Sequence, residues 1–199
     1  MKIKKIAALV LASALSTASM AGGLFDGFVL TSTGSGNTWY DASSSTANPD
    51  WTGLVATINQ GGSFLLGAQV TSWPGQGVWN GFDAVSLVYS IDGGAAQSLN
   101  LPFARNVNAS DDQWEQLASS SSANIGQSLS AGLHTVNVRF QAVDNAVGGS
   151  GTVWLDNGGN GWSANVNVIA ASVPEPASTA LFLAGLGVLG FLGARRKQG

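Results

Sequence analysis

The chain has 199 residues with no cysteine, one histidine and seven tryptophans, and its formal charge of -3 conceals a segregation of charge. Six of the eight basic residues lie in the two end segments, which leaves residues 22–172 with Arg105 and Arg139 against ten carboxylates. Two arginines in an acidic chain cannot neutralise a phosphate backbone, so nucleic acid is excluded as a partner and anionic lipid is disfavoured. The lack of cysteine removes disulfides, thiol chemistry and thiolate metal sites.

Taken in order, Lys2, Lys4 and Lys5 precede an apolar core from Ile6 to Leu15 that has signal-peptide rather than transmembrane length. Small residues follow at the positions that a signal peptidase needs. Ser19-Met20-Ala21 places the expected cleavage after Ala21, with Ser16-Thr17-Ala18 as the second choice. Residues 1–21 are therefore expected to be removed during export.

Residues 22–172 are enough for one domain, which at this length buries roughly 70% of its unfolded surface. The segment is rich in Gly, Ser, Asn and Thr, and its apolar residues recur at period two between turn residues. The expected fold is all-β, an antiparallel β-sandwich of Ig-like or jelly-roll type. Strands are expected at Gly27 to Ser32, Leu54 to Asn59, Ser63 to Trp73, Val85 to Ile91, Leu99 to Phe103, Val136 to Ala142, Thr152 to Asp156 and Ala164 to Ala170. Asp92-Gly93-Gly94 supplies positive φ at low cost, so a hairpin is expected there. One short helix is expected over Asp111 to Ala118, capped by Ser110 with Gln113 reaching back. Tyr89-Ser90-Ile91-Asp92-Gly93-Gly94 and Gly132-Leu133-His134-Thr135-Val136 resemble pieces of the Ig-like repeats of bacterial surface proteins.

Chemistry in this segment is sparse. His134 stands alone, shares strand parity with Val136 and Val138, and is expected to be a hydrogen-bonded structural residue. Asp111, Asp112 and Glu115 are the densest carboxylates, and on a helix Asp111 and Glu115 would share a face as a glycosidase pair does. Acids in the first turn of a helix are also ordinary dipole partners. Asp156-Asn157-Gly158-Gly159-Asn160-Gly161 offers oxygen ligands that would suit calcium, but its spacing is not that of an EF-hand and a hairpin turn explains it. Asn108-Ala109-Ser110 matches an N-glycosylation triplet and is read as incidental. No catalytic residue, metal site or cofactor is expected. The tryptophans are the exception, because indole faces stack on sugar rings. Trp73, Trp79 and Trp162, beside Pro, Gly or Asn, are expected in loops as glycan contacts, whereas Trp154 is expected to be embedded in a strand.

The chain then changes character over residues 173–199. Val173-Pro174-Glu175-Pro176 is held extended by its two prolines, and an exposed extended backbone is what a processing enzyme grips. From Ala177 to Ala194 no residue is charged, and as a helix this run would cover about 27 Å, near a bilayer's hydrocarbon thickness. Arg195-Arg196-Lys197 follows and is expected to stay cytoplasmic by the positive-inside tendency. Pro-Glu-Pro, one apolar helix and a terminal basic cluster together resemble the PEP-CTERM sorting signal of Gram-negative bacteria.

That resemblance implies recognition by an integral-membrane exosortase near Pro174 to Pro176, passage through the inner membrane, and delivery to the cell surface or the extracellular space. It also implies a setting of exopolysaccharide production. The expected protein is an exported, noncatalytic surface or matrix protein. A carbohydrate-binding module is the first alternative, and a small polysaccharide-active hydrolase is the second.

Overall fold

The computed structural model of the chain describes residues 22–34, 36–43, 45–73, 82–144, 151–171 and 181–186. Within them lie eleven strands: β1 (Gly23–Ser32), β2 (Thr38–Asp41), β3 (Leu54–Asn59), β4 (Leu65–Trp73), β5 (Ala84–Ile91), β6 (Gln97–Leu101), β7 (Phe103–Asn106), β8 (Asp112–Gln116), β9 (Gly132–Asp144), β10 (Gly151–Leu155) and β11 (Trp162–Ile169). Two single 3-10 turns, Ala118–Ser120 and Gly126–Ser128, interrupt the path between β8 and β9.

The strands form two sheets. One is antiparallel throughout, in the order β2-β1-β4-β8-β7. The other runs β3-β11-β9-β5-β6, with β10 also on β9 and β3 parallel to β11. Period-two patterning gives each sheet one apolar face. Val136, Val138, Phe140 and Ala142 of β9 are fully buried, while Asn137, Arg139 and Gln141 between them are not. Leu66, Ala68 and Val70 of β4 and Val85 and Leu87 of β5 complete the middle of one shared core, a sandwich-like arrangement. Each such side chain contributes about 1.5–3 kcal/mol on burial, and this chain has no disulfide to add to them.

The two sheets come into close contact at a β-bulge in β1. Phe25 pairs with Thr71 and Phe28 with Gln69, so Asp26 and Gly27 together oppose Val70. Asp26 takes a left-handed φ of 49°, and a Cβ on Gly27 would stand 2.6 Å from Cε2 of Phe140. The missing side chain of Gly27 is thus the space that the Phe140 ring occupies. Beside it, Trp162 packs edge-on against Phe140, and its carbonyl accepts a hydrogen bond from Nε1 of the fully buried Trp51 at 3.2 Å.

Several expectations are corrected. Residues 112–116 form strand β8, not a helix. Asn108 Oδ1 accepts from the main-chain N–H groups of Ser110 and Asp111, an Asx turn that uses the polar cluster otherwise suited to a helix cap. Phe103 does not continue the strand that holds Leu99 and Leu101. Pro102 has no N–H for the ladder, and the chain crosses there into the other sheet, where Phe103 pairs with Trp114. Residues 156–161 are not a hairpin turn. β10 and β11 lie end to end along one edge of β9, pairing with Phe140–Asp144 and Gly132–Val138, and the six residues are an excursion from one long interrupted strand. The hairpin at Asp92-Gly93 is as expected, with φ of 51° and 69° and the Gly94 N–H donating to the Ile91 carbonyl at 2.8 Å.

Substituting Gly27→Ala forces the Phe140 ring to move, and is expected to destabilise the domain by about 1–3 kcal/mol in urea unfolding. Combining it with Phe140→Leu is expected to cost less than the two single changes added together, since both act on one contact. Simple additivity would show that the two positions do not press on each other.

Candidate functional site

The outward face of the five-stranded sheet holds one of the proposed sugar contacts. Trp73 ends β4 opposite Gly23 rather than standing in a loop, and it shares strand parity with Thr71 and Gln69. Phe25 and Phe28 are their partners on β1, and the Phe28 ring meets Trp39 of β2 edge-on at 5.9 Å. Thr71 and Gln113, both nearly buried, form the floor beside these aromatics, and Arg105 Nε donates to Gln113 Oε1 at 2.8 Å. Glu115 lies opposite Gln69 in the same register.

The other tryptophans reverse the expected ranking. Trp162 opens β11 and is buried, with its ring on Phe140, so it presents no open face. Trp154, opposite Gln141, is 40% exposed on the outward face of β10, and the Arg139 guanidinium carbon lies 5.2 Å from its ring centroid. Glycine flanks suggested a loop for Trp162. They belong to the excursion, which ends at Gly161 immediately before it. Trp79 lies outside the described residues.

His134 is held from both sides. Its Nδ1 lies 2.7 Å from Asp92 Oδ2, and its Nε2 lies 2.9 Å from the Ser130 carbonyl. A carbonyl can only accept, so Nε2 carries a proton, and the carboxylate favours a second proton on Nδ1. Asp92 Oδ1 also accepts the Thr135 N–H at 2.8 Å, which ties the β5–β6 turn to β9. The Asp92 hydrogen bond pushes the His134 pKa up, and the same bond holds the Asp92 carboxyl below its ordinary range. Neither ring nitrogen faces a hydroxyl nucleophile.

The acidic group is dispersed. Asp112 and Glu115 project from opposite faces of β8 by parity, Asp112 accepts from Asn106 Nδ2 at 2.5 Å, and Asp111 accepts from Asn108. No group of three His, Cys, Asp or Glu side chains is placed to hold a metal among the described residues. In the excursion, Asp156 Oδ1 accepts the Gly159 N–H at 3.0 Å, and the Asp156 carbonyl accepts the Gly161 N–H at 2.7 Å. That carboxylate serves the local chain path.

Beyond the sandwich, residues 181–186 are helical and exposed, within the apolar run expected to be a helix. No described helix is long and apolar enough to cross a membrane. Ala21, Val173, Pro174, Glu175, Pro176, Arg195, Arg196 and Lys197 lie outside the described residues. Comparison with known families matches the PEP-CTERM protein-sorting motif at residues 172–197. The chain carries a PEP-CTERM sorting motif. Its boundaries enclose Val173 to Pro176, the apolar run and the basic cluster. The motif implies processing by an exosortase and sorting through the membrane to the surface or the extracellular space. It covers the tail and assigns no activity to the β-domain. No curated protein matches the chain.

The His134–Asp92 pair has a defined pH window. The raised His134 pKa makes its contribution complete below the unfolded value of 6.5 and lost as pH rises through the folded value. The lowered Asp92 pKa makes its contribution complete above 3.8 and lost as pH falls through the folded value. The melting temperature of the wild type relative to His134→Gln is therefore expected to be highest between about pH 4 and 6.5, narrowing on either side. A difference that stays constant from pH 3 to 9 would contradict this coupling.

Proposed function

We propose that this is an exported, noncatalytic surface or extracellular-matrix protein associated with exopolysaccharide. The observation that carries the reading is the PEP-CTERM motif at residues 172–197 behind a folded all-β domain. Export is supported by the sequence, since Lys2, Lys4 and Lys5 at one end and Arg195, Arg196 and Lys197 at the other bracket a cargo with two arginines. In this reading the leader is cleaved after Ala21 by signal peptidase. The run from Ala177 to Ala194 holds the chain in the inner membrane while exosortase acts near Pro174 to Pro176.

The noncatalytic part of the reading is supported by the side-chain chemistry. A hydrolase of glycosidic bonds needs two carboxyl groups flanking one cleft. Here Asp112 and Glu115 lie on opposite faces of β8, and Asp111 and Asp112 each accept a hydrogen bond from a nearby asparagine. The association with polysaccharide is supported by surface aromatics on both sheets, Phe103, Trp154 and Phe25 being the most open of those described above.

The mature extracellular form is expected to end at or near Pro174 to Pro176, as read by mass spectrometry of its C-terminal peptide. Intact Gly199 on that form would overturn processing. Deleting Arg195 to Lys197 is expected to leave the chain unprocessed and away from the surface. Normal surface display of that deletion would remove the basic cluster from the signal.

A further inference from the structure

We infer that the outward face of the six-stranded sheet, centred on Trp154 and Arg139, binds a glycan strand that bears carboxylates. This rests on the proposed association with exopolysaccharide, and it gives that association a location and a charge.

The face differs from the rest of the domain in its charge. Registers and strand parity place Asn100 and Ser98 of β6, Ser86 of β5, Gln141 and Arg139 of β9 and Trp154 of β10 on it. No outward position of β5, β6, β10 or β11, nor of β9 as far as Val143, carries a carboxylate, although the exported segment has ten. The surface there is built of amides, hydroxyls, one exposed indole and one guanidinium. On the five-stranded sheet, by contrast, Glu115 lies on the outward face and Arg105 spends a donor on Gln113.

Arg139 is the decisive residue. Its guanidinium rests on the Trp154 ring, and among the described residues it forms no ion pair. Stacking orients the guanidinium without using its N–H groups, and their planar fork matches the two oxygens of a carboxylate. Asp156, one residue beyond β10, is the neighbouring carboxylate on this edge; it accepts the Gly159 N–H and forms no ion pair with Arg139. Charges beyond about 8 Å are largely screened at physiological salt, and the opposite sheet lies about 10 Å away.

The geometry suits an extended strand. Trp154, Gln141, Ser86 and Asn100 stand in one register row across β10, β9, β5 and β6. At about 4.8 Å per strand that row spans about 14 Å. A sugar ring packs against the part of the indole that Arg139 leaves exposed, its neighbours reach the amides and hydroxyls along the row, and Arg139 in the adjacent row takes the carboxylate. The support beneath is firm: Asn137 Nδ2 donates to Ser163 Oγ at 2.9 Å and to the Asn160 carbonyl at 3.0 Å, pinning the excursion to β9 beside Arg139. Asp156 turns its carboxylate into the excursion, where it accepts the Gly159 N–H.

The test is affinity electrophoresis of the purified exported protein in gels containing polygalacturonate or, separately, dextran. Wild type is expected to be retarded by polygalacturonate and not by dextran. Arg139→Gln is expected to weaken the interaction about ten- to hundredfold, as loss of a charge-assisted hydrogen bond does. Trp154→Ala is expected to weaken it as well, Arg139→Lys to fall between, and Arg105→Gln on the other sheet to match wild type. Unfolding midpoints confirm that each variant is folded. Lack of retardation by polygalacturonate, equal retardation by dextran, or an Arg139→Gln variant that behaves as wild type would overturn the site. Retention in the producing cells' own polysaccharide fraction separates the two levels. Equal retention of wild type and Arg139→Gln removes this site and leaves the association standing, whereas release of both removes the association itself.

Discussion

The contact on which the sandwich depends is the Phe140 ring in the space left by Gly27. It joins the central strand of one sheet to the bulged strand of the other, at the point where Asp26 takes a left-handed φ. Two consequences follow. The spacing of the sheets is set by an aromatic ring lying against backbone, with Trp162 and Trp51 filling the volume beside it. The bulge also resets the parity of β1, so that Phe28 turns outward toward Trp39 while Val29 turns inward beside Tyr40. One glycine thus governs both the core and which aromatics reach the surface.

A domain stabilised only by packed apolar surface suits the route that the tail specifies. It needs no oxidant to fold outside the cytoplasm, and its buried polar groups are satisfied internally: no buried side-chain N or O atom among the described residues lacks a partner. Six of the eight basic residues sit in the two end segments, where positive charge opposes translocation. Between those segments, Asp92 and His134 fasten a turn, Asp41 organises the loop through Thr46 and Asn48, and Arg139 stands over an indole.

Much of this was legible in the sequence where the signal is local. Alternation at Val136 to Ala142, the Asp-Gly turn after Ile91 and the strand at Leu54 to Asn59 are properties of neighbouring residues, and the strands form there. The sorting tail was legible for the same reason, being a linear motif. Failures occurred where the deciding partner is distant in the chain. Asp112 to Gln116 is polar on both sides of Trp114, a pattern that reads as a helix start until β4 and β7 are seen pairing with it. Trp162 lies beside glycines yet is buried, because β9 pairs with β10 and β11 in succession and closes over the interruption between them. The exposure of Trp154 follows from a parity fixed only by its pairing with Gln141. No local pattern carries that information.

The central claim is that the β-domain crosses the inner membrane while the basic tail stays behind. Since the chain has no cysteine, single cysteines report topology without background. One replaces exposed Gln127 and another replaces Gln198 near the basic cluster, in cells that lack exosortase so that the tail is retained. A membrane-impermeant maleimide applied to spheroplasts is expected to label the residue 127 cysteine at once and the residue 198 cysteine only after permeabilisation. Labelling of residue 127 only after permeabilisation would contradict export.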